Sequence, residues 1–345
     1  MIGGMGVTAG AHRLWTHKSY KANLFVRIAL MLCNCAAFQN DIIDWSRDHR
    51  CHHKWNDSDA DPYNSQRGFF FSHMGWLLVR KHPDLKRKGA TIDMSDLLND
   101  KVLMFQRRYY ILLVPIFCFL VPAVIPVYLW RETPFIAFLT CSMFRYCFTL
   151  HDTWLINSAA HKWGFKPYDE EISAVDSYVL AAITMGEGGH NFHHVFPQDY
   201  RTSEYVNEYN ISKVVIDALA SFGWVYDRKV VSNELVKAQQ GSVSRRSMGT
   251  MSPNMDALLG TLLFPRGFST VFDVIGDAAN AYIMQDFLAC LLKFYANLHI
   301  YTCDASWYFI YALIHLCVCV FVSVSACVRS SVPHCQLKNH LNQFG

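Results

Sequence analysis

The chain has 345 residues, 52% of them hydrophobic, and a formal net charge of +3. A charge this small gives no reason to expect binding to nucleic acid. The mean hydropathy of +0.11 is too high for a typical soluble enzyme and too low for a protein made only of spanning helices. We therefore expect a few membrane helices joined to a sizeable polar part.

Two apolar segments in the middle of the chain predict a transmembrane hairpin. Before them, residues 24–43 are largely apolar but include Arg27, Asn34 and Asp41, which favours an interfacial or buried amphipathic helix over a clean span. Residues 110–130 carry no charged side chain, and their prolines are tolerated in spanning helices. A short turn leads to residues 135–150, which are apolar except for Arg145.

The charges that flank this hairpin predict its orientation. Basic residues are more frequent before the hairpin than in its turn, where Arg131 is the basic residue. The basic residues before it are Lys81, Lys86, Arg87, Lys88, Lys101, Arg107 and Arg108. Because cytosolic segments near spans are rich in Lys and Arg, we expect residues 44–108 and the polar residues 155–237 to face the cytosol.

The last part of the chain has a different composition. Residues 238–253 are rich in Ser, Gly and Gln and predict a linker. Residues 307–328 form an uncharged run long enough for a third span. We treat residues 238–345 as an unassigned tail.

Nine of the sixteen histidines fall in four short windows. The windows are His12-Arg-Leu-Trp-Thr-His17, His49-Arg-Cys-His52-His53, Asn157-Ser-Ala-Ala-His161 and His190-Asn-Phe-His193-His194. Positions i, i+3 and i+4 share one face of a helix, so each HxxHH is expected to point three imidazoles at one volume. The other seven histidines, His73, His82 and His151 among them, are interpreted as surface or core residues.

So many imidazoles exceed the needs of one ion and predict two metals. Neutral imidazole suits iron, zinc, copper and nickel. Soluble di-iron bundles use Glu and Glu-x-x-His, whereas the ligands here are nearly all nitrogen. A zinc hydrolase would need an open position and a carboxylate base, and the sequence has no HExxH.

These motifs resemble the three histidine boxes of the stearoyl-CoA (delta-9-type) desaturases, with the hairpin between the second and third boxes. Similar stretches include Asp44-Trp-Ser-Arg-Asp48, Asp61-Pro-Tyr-Asn64 and Gly186-Glu-Gly, and the resemblance covers residues 1–237. It implies an all-α integral membrane protein whose cytosolic helical cap holds a histidine-ligated di-iron site. Residues 1–237 would form the desaturase domain.

The resemblance also implies roles for individual residues, with no catalytic residue beyond the ligands of two Fe(2+). The implied metal residues are His12, His17, His49, His52, His53, His161, His190, His193, His194 and, through water, Asn157. The implied CoA-handling residues are Asn40, Arg47, Asp48, Arg80 and Lys81. Trp154 matches a tryptophan near the thioester end of the acyl tunnel, with Gln39 and Trp45 as expected neighbours.

The implied reaction is an O2-dependent insertion of a cis double bond into a saturated fatty acyl-CoA at the endoplasmic reticulum membrane. Abstraction of hydrogen from an unactivated methylene pair requires a metal cofactor. The sequence has no HPGG haem motif and no GxGxxG, so cytochrome b5 and its reductase are the implied electron donors. Membrane lipid is the remaining expected partner.

Three alternatives remain open at this stage. Histidine spacing does not separate an acyl-CoA desaturase from a membrane di-iron hydroxylase or an acyl-lipid desaturase. Members of the family have four spanning helices, and the first pair has no counterpart in this sequence, which predicts a truncated chain that is weakly active or inactive. A catalytically inactive, metal-binding membrane protein is therefore the third alternative.

Overall fold

The computed structural model describes residues 1–204 and 209–247, which fold mainly as helices. The predicted span at residues 307–328 lies outside the described residues. A mostly helical chain agrees with the predicted fold class. The division into residues 1–237 and 238–345 stays a prediction.

The α-helices share the described chain with π-helical and 3-10 segments and with one pair of short strands. The α-helices are α1 (Ile2–Met5), α2 (Leu24–Ala37), α3 (Ile42–Lys54), α4 (Phe69–His73), α5 (Pro83–Gly89), α6 (Ser95–Leu98), α7 (Lys101–Val114), α8 (Val121–Trp130), α9 (Pro134–Ala137), α10 (Arg145–Ser158), α11 (Tyr178–Ile183), α12 (His190–Val195), α13 (Ile211–Ser221) and α14 (Asn233–Ser247). The π-helical segments are Gly6–Thr16, Pro115–Leu120 and Phe138–Phe144, and the 3-10 segments are Ser65–Arg67, Gly75–Leu77 and Ala159–His161. Strands β1 (Lys21–Ala22) and β2 (Val225–Tyr226) pair antiparallel.

The π-helix Gly6–Thr16 is buried over its whole length and packs against α2 and α3. The contact with α2 depends on Gly6, because a Cβ there would lie 2.1 Å from the backbone nitrogen of Asn34. Any larger side chain would force the two helices apart. This close packing fixes the segment that carries the first pair of histidines.

Helix α2 is shorter than the sequence suggested. It ends at Ala37, where Phe38 adopts a left-handed backbone with φ of 50°, and the chain then bends by 81° into α3. The prediction of one helix over residues 24–43 is therefore wrong after Ala37. The side chain of Asp41 explains the new start, because its Oδ1 accepts the backbone N–H of Asp44 at 3.0 Å and caps α3.

The first arm of the predicted hairpin is a continuous helix, Lys101–Trp130, with a π-helical segment that begins at Pro115. A proline has no N–H to donate, and the change in helix type accommodates that loss. Among the described residues, this helix is long and apolar enough to cross a membrane by itself. The bent pair α2 and α3 would pass the same test only if taken together.

The second arm runs through α9, a π-helical segment and α10, and it contains Arg145. The guanidinium of Arg145 donates to three backbone carbonyl oxygens, those of Ala36 (2.9 Å), Cys118 (2.6 Å) and Cys141 (3.0 Å). A charge in an apolar arm is costly unless it has such partners. Arg145 therefore ties the second arm to the first arm and to the end of α2.

Helix α14 corrects the prediction of a linker after residue 237. The helix continues to Ser247, so the linker prediction is wrong for residues 238–247. Val236 of this helix is buried in a cluster with Tyr168 and Phe192, and Gln239 donates to the carbonyl of Tyr168 at 2.8 Å. Tertiary packing therefore stabilises a segment whose composition alone suggested a loop.

Candidate metal centre

Helix α3 carries the second histidine window. Its three histidines occupy positions i, i+3 and i+4, and His49 and His52 are buried. Successive residues of an α-helix are rotated by about 100°, so His52 and His53 point in clearly different directions. The two side chains reach different neighbours, and the three imidazoles do not all converge on one point.

The spacing of His12 and His17 matches the π-helix Gly6–Thr16, which contains His12 and ends immediately before His17. A π-helix bonds residue i to residue i+5, and the N–H of His17 donates to the carbonyl of His12 at 3.1 Å. The two residues therefore lie one above the other, with ring centroids 4.9 Å apart. In an α-helix the same spacing would turn the second ring away from the first.

Helix α12 carries the last window and is held by buried polar groups. The Oδ1 of Asp176 accepts the N–H groups of Asn191 (2.8 Å) and Phe192 (3.2 Å) at the start of the helix. The side chain of Asn191 binds backbone groups of the loop between Tyr168 and Ala174. Burial raises the pKa of Asp176 to about 7, although these two N–H groups act in the opposite direction.

The nine predicted histidines gather into two clusters. In each cluster, one ring nitrogen per residue lies within 4.8 Å of all the others. Cluster A consists of His12, His17, His49, His53 and His193. Cluster B consists of His52, His161, His190 and His194.

The two clusters lie side by side. The rings of His53 in cluster A and His194 in cluster B are stacked with centroids 4.3 Å apart. His17 lies 4.6 Å from His53, and His161 lies 5.3 Å from His194. Four sequence windows that are far apart along the chain therefore meet in two adjacent clusters.

The nitrogen geometry fits metal ligation. In cluster A the Nε2 atoms of neighbouring rings are 2.8–3.1 Å apart, as in the pairs His12–His193 and His17–His49. Two imidazole nitrogens bound at right angles to one ion would be about 3 Å apart, given metal–nitrogen distances near 2.1 Å. In cluster B the buried Nε2 of His52 has no hydrogen-bond partner. A metal ion would satisfy that nitrogen and relieve the crowding of lone pairs.

Residues outside the clusters orient some of these rings through Nδ1. Glu187 accepts from His12 at 3.1 Å, Asp61 lies 2.9 Å from the Nδ1 of His52, and Ser173 lies 2.7 Å from that of His161. A carboxylate that accepts the Nδ1 proton leaves the Nε2 lone pair for the metal. By contrast, the buried Nδ1 of His193 has no partner.

Burial keeps most of these imidazoles neutral. It is the main cause that lowers the pKa of His17, His49, His53, His190, His193 and His194 well below the ordinary value, and neighbouring histidines lower it further. The pKa of His161 falls to about 3 for the same main reason. Neutral imidazole is the form that binds metal.

Glu187 stays ionised next to cluster A. Burial raises the pKa of its carboxyl, but the Arg13 guanidinium and His12 outweigh that effect, and the pKa falls to about 2. Arg13 is fully buried and donates to Glu187 Oε1 at 2.6 Å. Gly186, with φ of +98°, allows the turn that brings the carboxylate to this position.

A profile of the fatty acid desaturase family matches residues 1–227. The chain belongs to the fatty acid desaturase family. Over 239 residues it is 62% identical to Delta(9)-fatty-acid desaturase fat-6 of Caenorhabditis elegans, which covers 69% of this chain and 70% of that protein. It is 59% identical over 254 residues to Delta(9)-fatty-acid desaturase fat-7 of the same organism, 73% of this chain and 75% of that protein. It is 51% identical over 239 residues to stearoyl-CoA desaturase of Bos taurus, 69% of this chain and 67% of that protein.

The residues of this desaturase that the resemblance linked to CoA do not form one cluster of free charges. Asp48 is buried and accepts hydrogen bonds from Arg47 and Lys81. Arg80 and Lys81 line a cavity together with Trp76. The exposed Asn40 lies in the turn between α2 and α3, and its φ is 72°.

Trp154 and Asn157 lie on α10, whereas Gln39 lies in the turn after α2 and Trp45 lies on α3. Trp154 is buried, and Asn157 is partly buried in the last turn of the helix. Gln39 donates to the hydroxyl of Thr153 at 2.9 Å. Trp45 stacks on His49 with ring centroids 4.9 Å apart. Trp45 therefore lies directly against cluster A.

Sequence reasoning gave no role to Glu187, Asp61 or Ser173 in this desaturase. The stretches Asp61-Pro-Tyr-Asn64 and Gly186-Glu-Gly resemble the family, but the sequence around a carboxylate does not indicate which distant histidine ring it orients. The separation in sequence between such a residue and its histidine, nine residues for Asp61 and His52, does not match the spacing of neighbours on one helix. Only the folded arrangement connects them.

Proposed function

We propose that this chain is an acyl-CoA desaturase that introduces a cis double bond at the Δ9 position of a saturated fatty acyl-CoA. The observation that carries the proposal is the convergence of nine imidazoles into two adjacent clusters in a fatty acid desaturase. Relatives named Delta(9)-fatty-acid desaturase and stearoyl-CoA desaturase support the position of the double bond and the CoA ester.

We further propose that the clusters hold two Fe(2+), one in each. Cluster A would hold one ion through five nitrogens, and cluster B the other through four nitrogens, with Asn157 acting through water. When bound, iron would supply the oxygen chemistry that breaks unactivated C–H bonds, which no side chain can do. Glu187, Asp61 and Ser173 would keep the rings oriented for this task.

The acyl chain would lie against Trp45, Gln39 and Trp154. Trp45 stacks on a cluster A histidine, so a chain packed on its indole would pass next to the metal ligands. The hydrogen bond from Gln39 to Thr153 joins the turn after α2 to α10 and would close the wall of the channel. Such a rigid wall is needed because burial of each methylene contributes about 0.8 kcal/mol wherever along the channel it occurs. Position along the channel must therefore come from shape.

The CoA head group would bind at the polar end of this channel. Arg80 and Lys81 line a cavity that also contains Asp61, and Asp61 contacts His52 of cluster B. The basic side chains of this cavity would bind the phosphates of CoA and so fix the position of the thioester. Arg47, Asp48 and Asn40 would contact the remaining polar part of CoA.

The proposed setting is the endoplasmic reticulum membrane, with several spans and the metal centre on the cytosolic side in a helical cap. The apolar helix Lys101–Trp130 and the basic residues before it support this orientation. Electrons would come from cytochrome b5 and its reductase. Omission of either component from a reconstituted reaction with NADH should abolish turnover.

Expression of the chain in cells that lack their own acyl-CoA desaturase tests the proposal. We expect the appearance of Δ9-unsaturated fatty acids after feeding with saturated acyl chains, and about two irons per purified chain by elemental analysis. His82→Ala is the matched control for iron content, because the exposed His82 lies outside both clusters. Its iron content should equal that of the unmutated chain. His82 also lines the cavity of Arg80 and Lys81, so the control for products is Glu234→Gln on α14, which should leave the products unchanged.

Two results would contradict the proposal. Hydroxylated products without unsaturated ones would favour a membrane hydroxylase. Iron bound at the expected level without any oxidised product, in the presence of the electron donors, would indicate an inactive metal-binding protein.

A further inference from the structure

Two histidines outside the metal clusters, the buried His73 and the partly buried His151, form a pair next to Trp154. His73, at the end of α4, and His151, on α10, have Nε2 and Nδ1 atoms 3.0 Å apart. The Nδ1 of His73 lies 2.9 Å from the hydroxyl of Ser158. Ser158 in turn donates to the carbonyl of Trp154 at 2.8 Å. Sequence analysis interpreted both histidines as ordinary core or surface residues.

The protons of this chain of hydrogen bonds can be assigned. A carbonyl only accepts, so the single hydroxyl proton of Ser158 points at Trp154, and the Nδ1 of His73 must carry the proton that Ser158 receives. The Nε2 of a neutral His73 is then an acceptor, which makes the Nδ1 of His151 the donor. Burial is the main cause that lowers the pKa of His73 to about 3, and His151 also contributes to this shift, so the neutral form dominates.

The same pair packs against the indole of Trp154. The His73 and His151 rings meet the indole edge-on, with centroids 5.8 Å and 5.2 Å away. On its far side, His73 is stacked with Phe69 at 5.4 Å. Thr153, the residue that precedes Trp154 on α10, accepts a hydrogen bond from Gln39. Helix α10 is therefore fixed on two sides at the level of the proposed acyl channel.

We propose that His73 and His151 are positioning residues that hold the indole of Trp154 in place and thereby set which methylene pair of the acyl chain reaches the metal centre. The inference rests on the proposed function, because it assigns the specificity of the same channel. Neither residue touches substrate. Both act through the aromatic wall that the substrate contacts.

Leucine at position 151 removes the donor that the His73 ring requires while it keeps an apolar side chain. In His151→Leu we expect the share of products with a shifted double bond to rise about threefold or more, since the wall can then move relative to the iron ligands. His73→Phe should have the same effect. Iron content should stay equal to that of the unmutated chain, because both clusters remain intact.

His151→Asn is the conservative rescue. An asparagine side chain places an N–H donor close to the position of the histidine Nδ1, so the bond to His73 is kept. The isomer distribution of this variant should match that of the unmutated chain. The double variant His73→Phe/His151→Leu should shift the distribution no further than either single change, because the two residues act as one unit.

Gas chromatography with mass spectrometry of derivatised products from the cellular assay gives the isomer distribution. A loss of folding would lower the yield but not change this distribution. The ratio of dissociation constants for stearoyl-CoA and palmitoyl-CoA on the purified chain is a second readout that needs no turnover, and His151→Leu should change it. Unchanged distributions and an unchanged ratio in His151→Leu and His73→Phe would overturn the inference alone. If the unmutated chain neither desaturates nor binds acyl-CoA, that result would overturn the inference together with the proposed function.

Discussion

Cluster A takes a pair of histidines from α3 and one from α12, whereas cluster B takes one from α3 and a pair from α12. His49 and His53, four residues apart, serve cluster A, and His52 between them serves cluster B. Each HxxHH motif is therefore divided between two sites, which corrects the expectation that its three rings share one volume. Because adjacent residues are rotated by about 100°, roughly a quarter of a turn, one short motif supplies histidines to both clusters.

The clusters also differ in their supports. Cluster A has a fifth nitrogen and an ionised carboxylate, Glu187, that is shared with the fully buried Arg13. Cluster B has four nitrogens and is supported by Asp61, which receives backbone N–H groups from Asp57 and Tyr63. Orientation of cluster A is thus coupled to the packing of the core, and orientation of cluster B to a local turn.

The largest expected effect comes from removal of one ligand from each cluster. His193→Ala and His52→Ala should each reduce bound iron from about two ions to about one, and lower desaturation by more than about 100-fold, beyond the effect of a lost orienting group. Elemental analysis of the purified protein measures the first effect and product analysis the second. Equal iron content in either variant and in His82→Ala would show that the clusters are not the metal sites.

A second pair of variants distinguishes the two supports. Glu187→Gln removes the charge next to a buried guanidinium, so it should weaken iron binding and also destabilise the fold by about 3 kcal/mol. Asp61→Asn should weaken iron binding about 10- to 100-fold with little loss of stability in the metal-free protein. Thermal unfolding of metal-free protein in detergent separates the cases. Equal destabilisation by both changes would contradict the difference in coupling.

Sequence analysis predicted the helical class and the two HxxHH motifs from local patterns, whereas the complete set of nine histidines, with the lone His161, was implied by the family resemblance. The composition of residues 110–130 predicts an apolar helix, and the spacing of HxxHH predicts that its histidines share one helix face. The division of that face between two clusters depends on where α12 lies relative to α3, which no local pattern encodes. The same holds for the hydrogen bonds between His73 and His151, residues that looked ordinary because their partner lies 78 positions away.

The smaller nitrogen count of cluster B gives a third prediction. If Asn157 completes that site through water, Asn157→Leu should lower the affinity of one of the two irons by about 10-fold and leave the other unchanged. Stepwise removal by a chelator, followed by iron analysis, resolves the two ions. A uniform loss of both irons, or of neither, would contradict a role confined to cluster B.

The smallest effect concerns an ion pair on the outer side of cluster A. Asp96 binds Arg50 at 2.8 Å and Lys18 at 3.0 Å, and these residues are neighbours of His49 and His17 along the chain. Burial raises the pKa of Asp96, but the hydrogen bonds from Arg50 and Lys18 outweigh it, and the pKa lies below the ordinary value. An acid with a lowered pKa in the folded state stabilises the fold at pH values above its ordinary pKa of about 3.9, and this contribution is lost as the pH falls through the folded pKa.

Asp96→Asn should therefore cost less than about 1 kcal/mol at pH 7, since the pair is partly exposed to solvent. The difference between the two proteins should shrink as the pH falls below about 4. Unfolding of metal-free protein at pH 7 and below about pH 4 measures this difference. Iron is removed first, so that its release on protonation of the ligands does not contribute to the measured stability. Glu234→Gln, a change to an exposed side chain on α14 and remote from the histidine windows in sequence, is the matched control. A difference that stays constant down to pH 3 would mean that the effect of Asp96 comes from packing and not from its charge. The ion pair beside cluster A would then not stabilise the fold electrostatically.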